Sequence, residues 1–469
     1  MVSRKKEKIY KVLAVVLFLT IVYAGCGSSS GGGGNQAPPS TSSVTTAGGL
    51  ATISTGSLVI AFVPSPAGVM ALPISQSGSS FATASYGTPK LNEMALSRIT
   101  ITTSFSLGGC AADAANLKVV CIGYDSSKVA VIDVSGYIAG GSVPTATEYD
   151  LGNSVTGSFS GGSCINCGVI IDSVDHGFIV SSGDGYRVVN YSGTVLKSYL
   201  SNPAATTPMD LSTENFGYDP VKNRIYSPEY GSGYTNSYLW VIDVNTGKIY
   251  HWNKRMVDTT VDSANGLPEL TGLYITQLTP DAASIDAATG ILTLGHEWTP
   301  LLLVLNMNAA TFNDSTSTFD APYTVIPLQS VYSPTTWLTT GMVIEPSSHV
   351  LFLEEEFGDG IGAATLPTTA SGGSVTVTSY TSAQIPTTVG TYCPAISSWM
   401  SVGDPHGLSA FTAIIGGKPM GLLVDETASC MAIVDLKGLL AAPKEPSTNK
   451  VASSYDLLAN HIISFIPLQ

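Results

Sequence analysis

One short phrase recurs along this chain and limits what it can fold into. Its clearest copy is Ser237 to Trp252, SYLWVIDVNTGKIYHW: an apolar run ending in an acid, a turn holding Asn245 and Gly247, and a second β-prone run from Lys248. Apolar, β-branched and aromatic residues on either side of an Asn/Gly turn predict an antiparallel hairpin. The phrase returns as KVAVIDVSG (Lys128 to Gly136), GYRVVNYSG (Gly185 to Gly193), PLLLVLNMN (Pro300 to Asn308) and CMAIVDLKG (Cys430 to Gly438). Such repetition describes one small sheet written several times. It outranks the expectation of about three domains that length alone would set.

Aligning the apolar runs yields a template of first strand, tight turn, second strand, loop, hairpin run and outer strand. First strands read GVIID (Gly168 to Asp172), NFGYD (Asn215 to Asp219), AASID (Ala282 to Asp286) and GMVIE (Gly341 to Glu345), each closing on an acid before a turn. Second strands read LKVVCIG, HGFIVSS, NRIYSPEY, GILTLGHE, HVLFLEEE and KPMGLLVD. The hairpin acid or amide falls at Asp133, Asn190, Asp243, Asn306 and Asp435, with a double-length interval before the last. Six units therefore run from about Cys110 to the end, and the segment from Ser57 to Leu107 is a candidate seventh. TVIPLQ (Thr324 to Gln329) is nearly repeated by SFIPLQ (Ser464 to Gln469). By analogy the chain is expected to end on the outer strand of its last repeat.

Val, Ile, Tyr and Thr dominate the apolar runs, and the chain holds 48 Gly, 26 Pro and only 12% charged residues, a composition for turns and strands rather than helices. The hairpin runs are continuously apolar, as strands covered on both faces must be. Repeated four-stranded antiparallel sheets of this length resemble a β-propeller, whose blades stack face to face around a channel. The VIDxxTG-like wording is similar to that of YVTN and quinoprotein-like propellers. The resemblance implies an all-β fold of six to seven four-stranded blades, seven preferred, over residues 51–469. Its motif concerns packing and turns, so it implies a fold and no activity.

The N-terminus predicts an address. Residues 1–25 carry Arg4, Lys5, Lys6, Lys8 and Lys11 against Glu7, then an apolar run from Val12 to Ala24; this is the pattern of a secretory signal peptide. Ala24-Gly25-Cys26 resembles the lipobox of bacterial lipoproteins, with Tyr23 departing from its usual aliphatic residue. That resemblance implies acylation of Cys26 and a membrane partner through the lipid. Residues 26–50 are then a Gly/Ser/Thr/Pro tether that cannot form a core, spanning roughly 25 Å as a flexible coil. Gly27 in place of Asp implies, by the same resemblance, an outer-membrane lipoprotein of the cell envelope, periplasmic or surface-exposed. The formal charge is −14, and the basic leader makes the remainder more acidic still. Such a surface repels phosphate backbones and excludes nucleic acid as a partner.

Six cysteines remain after Cys26, an even number that predicts disulfides in a secreted chain. Cys110 and Cys121 flank a turn in a register that sets them directly opposite. Cys393 and Cys430 bracket the last repeat on one face. Cys164 and Cys167 form CINC in a glycine-rich loop, read as a structural disulfide with a metal or redox role as the alternative. No CxxCH occurs, so covalent haem is not expected.

The ends of the second strands supply the candidate site. Asp125, Asp184, Glu229, His296 with Glu297, Glu354 and Asp425 occupy that position in successive repeats, and the GDPHG segment adds Asp404 and His406. Acids converging on one channel mouth would raise each other's pKa unless a cation or a basic partner neutralised them. Carboxylates suit Ca²⁺ and the histidines admit another divalent cation, so Glu229, His296, Glu297, Glu354, Asp404, His406 and Asp425 are candidate metal ligands. Acids simply facing water are the alternative. Asp125, Asp184, Tyr230, Trp298 and Phe357 are candidate ligand contacts, since aromatics beside acids bind sugars or cationic groups. No HExxH or P-loop motif is present. The expected function is a tethered scaffold that binds an envelope protein or small ligand at an acidic mouth. The alternatives are a metal-dependent hydrolase, because gluconolactonase-like propellers are similar in the placement of their metal, and a structural envelope component.

Overall fold

Each copy of the recurrent phrase supplies the third strand of an antiparallel sheet. The computed structural model describes residues 58–65, 68–77, 80–83, 99–123, 126–139, 143–152, 165–202, 209, 211, 213, 215–229, 237–270, 280–296, 301–328, 341–355, 360–369, 373, 375–384, 405–412, 419–425, 430–441, 448–452 and 464–468. Among these residues there are seven sheets. Sheet I contains β1 (Leu58–Ser65), β2 (Gly68–Ser77), β3 (Ser80–Thr83) and β4 (Ile99–Thr102). Sheet II is β5 (Leu107–Asp113), β6 (Lys118–Gly123), β7 (Lys128–Asp133) and β8 (Ala146–Asp150). Sheet III is β9 (Asn166–Asp172), β10 (Gly177–Ser182), β11 (Gly185–Asn190) and β12 (Val195–Leu200).

Sheet IV starts with β13 (Gly217–Asp219), β14 (Arg224–Pro228), β15 (Leu239–Asp243) and β16 (Ile249–Trp252). Sheet V is β17 (Pro280–Asp286), β18 (Ile291–His296), β19 (Leu301–Asn306) and, after an inserted hairpin of β20 (Thr311–Asn313) and β21 (Thr318–Asp320), β22 (Tyr323–Pro327). Sheet VI is β23 (Met342–Glu345), β24 (Val350–Glu355), β25 (Gly360–Thr365) and β26 (Ser379–Gln384). Sheet VII is β27 (Pro405–Thr412), β28 (Pro419–Asp425), β29 (Cys430–Asp435) and β30 (Thr448–Ala452). Helix among the described residues is limited to Ser135–Ile138, Leu436–Ala441 and a 3-10 turn at Pro268–Leu270.

The first strands pack on one another. β5 touches β1, β9 and the C-terminal strand β31 (Ser464–Leu468), while β13 touches β17, β17 touches β23, and β23 touches β27. Sheets joined edge to centre in this way stand radially, and an apolar cluster fills each described seam between neighbours: Ile60 and Val119 between I and II, Phe178 and Val120 between II and III, Tyr186 and Trp240 between III and IV, Leu292 and Trp252 between IV and V, Leu302 and Leu351 between V and VI. Both faces of a blade are therefore covered, and β10 and β19 are buried at every position. Complete burial of a Leu or Phe side chain contributes about 1.5–3 kcal/mol, so the continuous apolar runs are the main source of cohesion. The architecture is that of a β-propeller.

The C-terminus departs from the expectation for SFIPLQ. β31 is not the outer strand of the last repeat, a place held by β30. It pairs antiparallel with β1, setting Ile60 opposite Ile466 and Ala61 opposite Phe465, and so becomes the innermost strand of sheet I. A short apolar strand fits the edge of either sheet; pairing with sheet I hydrogen-bonds the first blade to β31 and covers the inner edge of β1.

The first turns of sheets II to V follow one rule. Asp113, Asp172, Asp219 and Asp286 accept backbone N–H groups two or three residues ahead at 2.9–3.1 Å, as turn-forming carboxylates do. In sheets II to VI the residue closing this turn is left-handed: Leu117, His176, Asn223, Gly290 and His349 have φ between 50° and 71°. The acid also reaches the next blade. Tyr191 of sheet III donates to Asp113 of sheet II at 2.5 Å, and His349 of sheet VI meets Asp286 of sheet V.

Two further features tie the sheets. Cys110 lies directly opposite Cys121 and the pair forms a disulfide with a Cα separation of 4.1 Å, the pairing expected from the register. The β20–β21 hairpin leaves sheet V and extends sheet IV, with β21 parallel to β16. Asp314 at its tip accepts from Lys248 and from the Tyr250 hydroxyl at 2.6 Å, and the Arg224 guanidinium lies 4.4 Å from the Phe312 ring centroid.

Candidate ligand-binding face

Second strands begin at the acid-capped turns, so their far ends all lie on the opposite face. Side chains alternate along a strand, and the alternation assigns each candidate to a seam. Val180 faces sheet II and Ile179 faces sheet IV, so Ser182 points to the II/III seam and Ser181 to III/IV. By the same count Glu229 follows Ile225 into III/IV, His296 follows Leu292 and Leu294 into IV/V, and Glu354 shares a face with Phe352, which packs against Gly421 of sheet VII.

Asp184 is buried and pairs with Arg187, Nη1 to Oδ1 at 2.5 Å and Nη2 to Oδ2 at 2.8 Å. Arg187 also donates to Ser182 Oγ at 3.0 Å. This is a neutralised, bidentate pair rather than an open acid. Glu229, 1% exposed, accepts from the Tyr238 backbone N–H at 3.1 Å and from Trp240 Nε1 at 3.3 Å. Around it Tyr238, Trp240 and His251 form an aromatic cluster with centroids 4.9–5.8 Å apart. Arg255 stacks over Tyr238 and pairs with Asp262 at 3.0 Å.

His296 is 1% exposed, and neither ring nitrogen has a hydrogen-bond partner. Burial pushes its pKa down to about 3, which holds the imidazole neutral at physiological pH. Glu354 is equally buried; its carboxylate occupies the space a side chain at residue 341 would need, so Gly341 is required there, and its backbone N–H donates to Gly341 O at 3.2 Å.

The structure thus sets Asp184, Glu229, His296 and Glu354 at one end of the molecule but in separate seams. Among the described residues no three His, Cys, Asp or Glu side chains come together as a metal site. Cys26, Asp125, Cys164, Tyr230, Glu297, Trp298, Phe357, Cys393 and Asp404 lie outside the described residues. His406, Asp425 and Cys430 are placed by backbone alone, on β27, β28 and β29, with Asp425 opposite Cys430. Cys167 is buried and disulfide-bonded.

Sequence reasoning missed Arg187 and the Tyr238–Trp240–His251 cluster. A lone arginine inside the apolar run GYRVVN, three residues after Asp184, was the available signal for the first. The cluster had none, because its members fall on two strands whose pairing alone brings Trp240 opposite His251.

No protein-family model matches the sequence, and no curated protein matches it. Solved structures do. The periplasmic gluconolactonase PpgL of Pseudomonas aeruginosa superposes with a TM-score of 0.52 at 10% identity, over 88% of this chain and 100% of that one. A protein of Bacteroides uniformis named as a candidate 6-phosphogluconolactonase gives the same values. A protein of unknown function from Desulfotomaculum acetoxidans gives 0.50 at 9% identity, over the same shares. Identities this low carry the fold and nothing finer: in architecture, the chain is a β-propeller.

Proposed function

We propose that this chain is a cell-envelope binding scaffold, held to a membrane through Cys26, that receives a small ligand or an envelope protein on the face where the second strands end. The observation carrying this reading is the repeated placement of buried polar groups at that end of four separate seams: Asp184 with Arg187, Glu229 with Trp240, His296, and Glu354. Buried polar groups are costly unless they have a use or a partner, and here they recur at one end of an otherwise apolar stack. Thermal melts of the purified chain against a library of envelope metabolites test it. A saturable rise in melting temperature that is lost in Arg187→Met or Trp240→Phe supports the reading; no shift with any compound, and no captured envelope protein, contradicts it.

A second reading is a lactone hydrolase, favoured by the fold likeness to the gluconolactonase. Under that reading the candidate ligands would hold a divalent cation, which would supply Lewis-acid chemistry toward a lactone carbonyl. Turnover of lactones by the purified chain, abolished by chelator together with a fall in melting temperature, would replace the first reading with this one.

A further inference from the structure

We infer that the seam between sheets IV and V, at the end where β18 finishes, is a binding site for a neutral hydroxyl group, received by His296, with the Trp252 indole as a second donor in the same seam. β16 and β18 both run from the turn face to the ligand-binding face, so Trp252 and His296 end on the same side. Trp252 belongs to the apolar cluster that contains Leu292, Leu294 and Leu301, and His296 continues the face of Leu292 and Leu294. Trp252 is fully buried, and its Nε1 has no hydrogen-bond partner, as is true of both nitrogens of His296. Each buried donor or acceptor without a partner costs about 1–3 kcal/mol, so a group that satisfied His296 would be bound favourably.

The chemistry of the ligand follows from the imidazole. A neutral ring presents one N–H donor and one lone pair. A hydroxyl satisfies either nitrogen because it both donates and accepts. A carboxylate could use only the N–H and a cation only the lone pair, and either would carry its charge among Leu294, Leu301, Met256 and Leu270 at a large desolvation cost. The inserted hairpin closes the outside of this seam. β21 sets Phe319 beside Trp252, and Tyr323 of sheet V meets the Trp252 ring edge to face at 5.3 Å. Water and the hydroxyl of a small solute share this chemistry. The solute case rests on the ligand-binding reading of this face, whereas the water case stands without it.

Crystal structures of the full chain, grown without polyol and soaked in glycerol, test the inference together with the melting temperatures of His296→Leu and His296→Gln. The expected result is an ordered oxygen within hydrogen-bond distance of an imidazole nitrogen, a lower melting temperature for His296→Leu, and a smaller loss for His296→Gln. Oxygen at the same place in both crystals identifies water, and its replacement by a glycerol hydroxyl identifies a solute site; both support the inference. If His296→Leu melts higher than the parent chain, or both crystals show bare nitrogens, the imidazole is only an orphaned core group and the inference is overturned. Should the leucine variant not fold, the oxygen density in the parent and glutamine chains decides alone.

Discussion

Tyr218 at the start of sheet IV donates its hydroxyl to Asp172 at the end of the first strand of sheet III, across 2.6 Å, with both residues buried. Burial first and the carboxylate second push the phenol well above its ordinary pKa, so it remains a donor throughout the working range. The same Oδ1 accepts the Val174 N–H. One carboxylate therefore shapes its own turn and joins two blades. Asp172→Ala should cost about 2–3 kcal/mol, because turn amides and a buried hydroxyl lose their acceptor, and Tyr218→Phe about 1 kcal/mol. Urea unfolding of the single and double variants should show coupling of at least 0.5 kcal/mol, as contacting residues do; additive losses would mean that the two blades are joined by packing alone.

The Cys110–Cys121 disulfide closes a short loop between two adjacent strands and is completely buried. A loop of this size predicts a contribution of about 2–3 kcal/mol, mainly through the unfolded chain. Replacing both cysteines with alanine should lower the unfolding free energy measured in urea by that amount, and the native protein should resist reduction until it unfolds. Rapid reduction by dithiothreitol without unfolding would contradict this burial.

The inserted hairpin should act locally. His251 donates its backbone N–H to Ser317 O at 3.1 Å and Asn253 to Phe319 O at 2.8 Å, so the outer strand of sheet IV depends on a segment of sheet V. Shortening residues 310–321 to a Gly-Gly link should accelerate hydrogen exchange at these two amides while leaving β14 protected. Uniform acceleration across sheet IV would mean that the hairpin is integral to the blade.

His296 predicts a pH dependence with a definite sign. Its folded-state pKa is pushed down to about 3 by burial, below that of an exposed imidazole, so between those values the unfolded chain binds a proton that the folded chain excludes. Stability should therefore fall as pH drops from near neutrality toward about 3. Thermal melts should show a smaller decline over this window in His296→Leu than in the parent chain. Parallel declines would place the acid sensitivity elsewhere.

Much of the fold was legible because blade strands are apolar on both faces. The runs VVCI, FIVS, LWVID and LLLVLN share that continuous apolar character, and the acids that close the first strands, such as Asp172, Asp219 and Asp286, marked the turns. The pairing of Cys110 with Cys121 followed from register alone. SFIPLQ was misplaced because a terminal strand carries no sign of which sheet edge it fills; only closure of the ring decides that. The β20–β21 hairpin was invisible for a related reason, since its parallel partner lies in another repeat. For the site, strand position placed Asp184, Glu229, His296 and Glu354 at one end, but the seam each enters depends on a one-residue alternation that the phrases did not resolve.

Closure of the ring rests on β31, which pairs with β1 in the first blade. It is tested most directly by introducing Ala61→Cys with Phe465→Cys, and separately Ala432→Cys with Phe465→Cys, and mapping the crosslinked peptides after mild oxidation of the folded chain. A 61–465 disulfide is expected, because these positions face each other between β1 and β31, and none between 432 and 465. Efficient 432–465 linkage would seat the terminal strand on sheet VII and contradict the closure.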